Sequence, residues 1–168
     1  VELGAEHVVL LPEGEAWLVG RLVDAAAPPA RAPVLGVVGG CGGAGASSLA
    51  IALAVTAAGH GLRPVLVDAD PFGGGLDLPL GLEALSGFRW PDLPWAAGRL
   101  PASVIEAGLP EGGGLRVLAC TRHEPTTLTP GALAAAVDAA RLAGDLVVVD
   151  LPRRVGEAEQ VVLARCRR

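Results

Sequence analysis

Apolar residues in this chain fall in four short runs rather than in strict alternation. They are Val34-Leu35-Gly36-Val37-Val38, Val65-Leu66-Val67, Leu115-Arg116-Val117-Leu118-Ala119 and Leu146-Val147-Val148-Val149. Each is bounded by Gly, Pro or Asp, which predicts strands buried on both faces. Longer alanine-rich segments lie between them. Ser47 to Val55 predicts a helix with Gly59 and Gly61 as stop signals. A second helix starts at Thr129-Pro130, a cap residue followed by proline in the first turn, and stops near Gly144. A last helix runs toward Arg165-Cys166-Arg167-Arg168. Strand and helix alternate, so the expected fold is α/β, with a parallel sheet covered on both faces.

The remaining segments are less regular. Phe72 to Leu82 reads as a glycine-rich loop, and residues 83–114 as short helices between turns, packed by Trp90 and Trp95. At the front, His7 to Pro12 predicts a short strand and Glu13 to Ala26 an amphipathic helix. One strand and one helix cannot bury their own faces. Residues 1–27 therefore read as the remnant of a separate domain. Residues 28–33, within a Pro/Ala-rich stretch, are a linker, and residues 34–168 are the main domain.

The chemistry concentrates where the first strand meets its helix. Gly40-Cys41-Gly42-Gly43-Ala44-Gly45-Ala46-Ser47-Ser48 joins them. Strand, glycine loop and helix start form a phosphate-holding arrangement, because glycine lets backbone N–H groups approach an anion that the helix dipole favours. Two motifs fit. Gly40-x4-Gly45-Ala46-Ser47 follows the P-loop pattern, except that Ala46 stands where lysine is expected. Gly40-x-Gly42-x-x-Gly45 follows the dinucleotide fingerprint, with Asp68 at 23 residues after Gly45 as a ribose-binding candidate.

Two strands end in carboxylates. The second runs into Asp68-Ala69-Asp70-Pro71 and the fourth into Asp150-Leu151-Pro152. In a parallel sheet these tips share an edge with the glycine loop. There Asp68 and Asp70 are candidates to orient an attacking water. Ser47 and Asp150 are candidates to hold magnesium and its water shell.

Composition narrows the classes. The chain has 168 residues and a net charge of −5, with no basic run long enough to track nucleic acid. All 13 cationic side chains are arginines, because lysine is absent. Methionine, asparagine and tyrosine are absent too, and the first residue is valine, which reads as a fragment or an alternative start. The three cysteines, Cys41, Cys120 and Cys166, are scattered and odd in number, which suits a reducing, cytoplasmic setting. No apolar run approaches the ~20 residues of a spanning helix.

Three of these stretches together resemble one family. Residues 41–48, Val65 to Pro71 and Val147 to Pro152 look like the deviant Walker A, Walker A-prime and Walker B motifs of MinD/ParA-type ATPases. Within that group the chain is most similar to the septum site-determining and CpaE/TadZ-like branch, which carries a divergent receiver-like domain before the ATPase. The resemblance implies a three-layer P-loop domain, truncated, preceded by the end of a receiver-like domain. It implies ATP or ADP with magnesium as cofactors and a homodimer formed through the nucleotide face. It also implies protein partners in division or pilus/secretion machinery, and recruitment to the septum or pole. The departures are Cys41, where the family carries a signature lysine, and Ala46, where it usually carries the P-loop lysine. Both predict weak or absent hydrolysis. Two alternatives stay open: a Rossmann-type oxidoreductase, and an interaction module that binds no nucleotide.

Overall fold

The computed structural model describes residues 9–15, 17–19, 32–95, 98–122 and 127–166. Four of its strands are the four apolar runs: β1 (Val34–Val38), β2 (Pro64–Asp68), β4 (Leu115–Leu118) and β5 (Leu146–Leu151). A two-residue strand, β3 (Glu111–Gly112), joins them. The sheet order is β1-β5-β2-β4-β3. The β1–β5, β5–β2 and β2–β4 pairs are parallel, whereas β3 runs antiparallel to β4. The expectation of a wholly parallel sheet thus fails at one edge. Gly113 and Gly114, at φ 60° and 80°, turn the chain back on itself in a tight hairpin that only an antiparallel partner can use.

The helices are α1 (Ala46–Gly59), α2 (Ala102–Gly108), α3 (Pro130–Ala143) and α4 (Glu157–Leu163). Side chains alternate across the central strands, so each strand feeds two cores. Leu66, Val117 and Val148 pack under α1 with Ala50 and Ala54. Val65, Val67, Val147 and Val149 pack on the other face with Ile105, Leu133, Val137 and Val162, from α2, α3 and α4. The result is the three-layer arrangement expected of the motifs. Thr129 caps α3 as its sequence predicts, its side chain accepting from Ala132 N at 3.2 Å.

Three expectations need correction. Val9 and Leu10 form no strand, and residues 11–14 are turn. This apolar run has no neighbouring strand to pair with among the described residues, and Leu10 and Leu11 are exposed. His7 and Val8 lie outside the described residues, as does most of the predicted helix, of which residues 15 and 17–19 are helical. Trp90 is buried at 3% exposure in a single 3-10 turn, Trp90–Asp92, but Trp95 is exposed, so one tryptophan rather than two packs this region. The final helix stops at Leu163, short of Arg165 and Cys166. Just before β1, Val147 N donates to Pro33 O and Ala32 is buried, so these two residues pack with the sheet.

Candidate functional site

The glycine loop leaves β1 and enters α1 without a side-chain cap. Gly45 is the residue before the helix and stands at φ 80°, and Gly43 stands at φ 73°. A side chain at either would be strained, so glycine is required by the backbone there. A Cβ on Gly40, Gly42, Gly43 or Gly45 would meet no atom within 4 Å, so open space surrounds the loop. Ala44 N donates to Cys41 O and Leu49 N to Gly45 O. Among the described residues, the amides of Ala46, Ser47 and Ser48 find no protein acceptor. Unpaired amides at a helix start, under open space, are the donor set that an anion requires.

The carboxylates converge on the same edge. Strand register pairs Val37 with Asp150 and Asp150 with Asp68, so Asp150 stands beside the end of the loop's own strand and Asp68 one strand further on. Asp150 is buried, and burial raises its pKa. The Ser47 hydroxyl beside it pulls the other way, and the negative charge of Asp70 raises it further. Ser47, Asp70 and Asp150 are therefore close enough to act on one another. A hydroxyl and one carboxylate beside unpaired amides fit magnesium, which keeps several waters and takes few protein ligands. Among the described residues no three His, Cys, Asp or Glu side chains form a ready metal cage.

Asp68 and Asp70 differ sharply. Asp68 is buried at 2% exposure, and its two oxygens are engaged by backbone: Oδ1 accepts from Asp70 N, and Oδ2 from Leu76 N and Cys120 N. Burial pushes its pKa up to about 6, against the pull of those three amides. Its backbone carbonyl accepts from the Trp90 indole at 2.7 Å. Asp68 thus ties together the ends of β2 and β4 and the loop after Asp70, and its oxygens are not available to a ribose. Asp70 is only half-buried, and its Oδ1 accepts from Phe72 N.

A second polar cluster supports that loop, and sequence reading missed it. Asp77 is buried at 3% exposure between Arg89 and Arg122, with ion pairs of 3.1 and 3.0 Å. Arg89 also donates to Leu82 O, Leu85 O and Gly87 O, and Arg122 to Gly74 O. The three residues are 12 and 45 positions apart in sequence, so no local pattern announces them.

The fold has counterparts among solved structures. A ParA family ATPase from Chlorobium tepidum superposes with a TM-score of 0.62 at 22% identity, over 80% of this chain and 57% of that one. The fold is that of ParA/MinD-type P-loop ATPases. The septum site-determining protein MinD from Pyrococcus horikoshii, a complex with Mg-ADP, gives 0.60 at 16% identity, over 80% and 55% of the two chains. Residues 1–33 match the model of the Rv3660c-like, CheY-like N-terminal domain family. In sequence, the chain is 45% identical over 168 residues to uncharacterized proteins of Mycobacterium tuberculosis strains H37Rv and CDC 1551. It spans 46% of their length. No helix among the described residues is long and apolar enough to cross a membrane.

Proposed function

We propose that this chain is a MinD/ParA-like nucleotide-binding unit with a degenerate Walker A loop. It acts as a spatial regulator or scaffold in septum-site determination or pilus/secretion assembly, with weak or absent ATP hydrolysis. The carrying observation is the convergence of Ser47 and Asp150 beside the unpaired amides of Ala46, Ser47 and Ser48. In this reading the backbone from Gly40 to Ser48 cradles the phosphates of ATP or ADP. Ser47 ligates magnesium, and Asp150 holds its water shell. Asp70 is the carboxylate placed to orient a water, while Asp68 positions the loop that carries it. The absence of lysine removes the charge that a P-loop normally sets on the β- and γ-phosphates, so catalysis should suffer more than binding. The working unit is a homodimer formed through the nucleotide face, in the cytoplasm, recruited to the septum or pole by protein partners.

The dinucleotide reading requires Asp68 to reach a ribose, and its oxygens are already engaged by backbone amides. A thermal-shift and equilibrium titration with ATP, ADP and NADH, with and without magnesium, tests the proposal. Magnesium-dependent stabilisation by ATP or ADP is expected, about 2.7 kcal/mol at a hundredfold excess over Kd. No shift with either nucleotide would sink it in favour of the interaction module.

A further inference from the structure

The edge that would receive a polyphosphate carries Asp68, Asp70 and Asp150, and the loop carries no cation. A nucleotide there meets like charge that magnesium alone offsets incompletely, so a protein cation is needed. Lysine cannot supply it, because the chain has none.

The arginines can be sorted by what already holds them. Arg63 pairs with Asp145, Arg89 and Arg122 with Asp77, Arg116 with Glu111, and Arg141 and Arg165 with Asp138. Arg99 is engaged as well. Among the described residues, Arg153 and Arg154 are the arginines that make no hydrogen bond or ion pair, and both are exposed. Their position is specific. Leu151 is in register with Val38, so Pro152-Arg153-Arg154 and Gly39-Gly40-Cys41 leave the sheet from adjacent strand ends, which lie one strand spacing (about 4.8 Å) apart. They follow Asp150 by three and four residues, in the turn between β5 and α4. An extended arginine side chain spans such a separation, and its planar fork suits phosphate oxygens.

We infer that Arg153 and Arg154 are phosphate-binding residues of this chain, supplying from the turn after β5 the positive charge that the glycine loop lacks. This rests on the nucleotide-binding reading above. In this role their charge favours the more highly charged triphosphate, so they discriminate ATP from ADP.

The test is equilibrium binding of ATP and ADP with magnesium chloride to the chain and to its Arg153→Ala/Arg154→Ala variant. Arg153→Lys/Arg154→Lys serves as the conservative variant. Arg63→Gln, before β2 at the opposite edge of the sheet, controls for net charge. Unfolding midpoints check that each variant is folded, which exposed, unpaired side chains should not alter. The expected result is an ATP affinity at least about tenfold weaker in the double alanine variant, a smaller loss for ADP, partial recovery with lysine, and little change for Arg63→Gln. If the unaltered chain binds ATP and the double alanine variant binds it equally, this inference fails while the nucleotide-binding reading stands. If the unaltered chain binds neither nucleotide, both fail together.

Discussion

Asp68 and Asp150 lie directly opposite each other on neighbouring parallel strands, Asp68 the last residue of β2 and Asp150 the last but one of β5. Both are buried, and burial is the chief cause that raises the pKa of each from its ordinary value. Their surroundings set their tasks apart. Asp68 is enclosed by backbone N–H groups and organises loops, whereas Asp150 faces the Ser47 hydroxyl and the open edge.

This makes stability depend on pH in a defined direction. Unfolded Asp68 titrates near 3.9, and folded Asp68 at about 6. Between those values the folded chain holds a proton that the unfolded chain has lost, so folding is favoured on the acid side. The contribution of Asp68 to stability should fall as pH rises from about 4 to about 6, by about 3 kcal/mol, and then level off. Asp150 adds the same sign. Urea unfolding at several pH values should show this slope in the unaltered chain and a shallower one in Asp68→Asn. Identical slopes would refute the assignment.

Much of this architecture is legible in the sequence, because four apolar runs alternate with alanine-rich helical segments and the loop glycines are local signals. Thr129-Pro130 announces its cap from three residues, and Gly45 its left-handed turn. What escaped is non-local. Nothing near Asp77 points to Arg122, and nothing near Trp90 shows that its indole N–H meets Asp68 O rather than a partner tryptophan. The Glu111–Gly112 strand is too short to leave a pattern and exists only because the hairpin glycines return it to β4. Asp68 and Asp70 look equivalent in sequence; two residues of spacing put one in the core and the other at its rim.

The Asp77 cluster should hold the loop after Asp70 in place. Removing the carboxylate in Asp77→Ala leaves the largely buried Arg89 without its ion-pair partner, and unpaired buried charge typically costs about 3–5 kcal/mol. Arg122 is about one-third exposed, so Arg122→Ala should cost closer to about 1 kcal/mol. Chemical denaturation measures both, and equal costs for the two variants would contradict this ranking.

Gly45→Ala separates backbone strain from steric blockage. Nothing lies within 4 Å of the added Cβ, so no clash opposes it. The residue must instead be held at φ 80°, which costs an L-residue about 1–2 kcal/mol or flips the turn. A lower unfolding midpoint together with weaker MgATP binding is expected. Unchanged binding would show that the loop's amides do not hold phosphate.

Ala46→Lys asks whether the loop is a working phosphate site that merely lacks its cation. Ala46 opens α1 and is only partly buried, packed beside the core under that helix, so a lysine stem can lie along the same surface while its ammonium reaches open space. In a P-loop this position delivers positive charge to the β- and γ-phosphates. The variant should bind ATP about tenfold or more tightly, with a larger gain for ATP than for ADP. Hydrolysis should rise only modestly, because Cys41 still stands where the family's second lysine would be. Isothermal titration and a phosphate-release assay read the two effects separately. A variant that folds normally yet gains no affinity would mean the loop geometry, and not the missing charge, is what keeps nucleotide away.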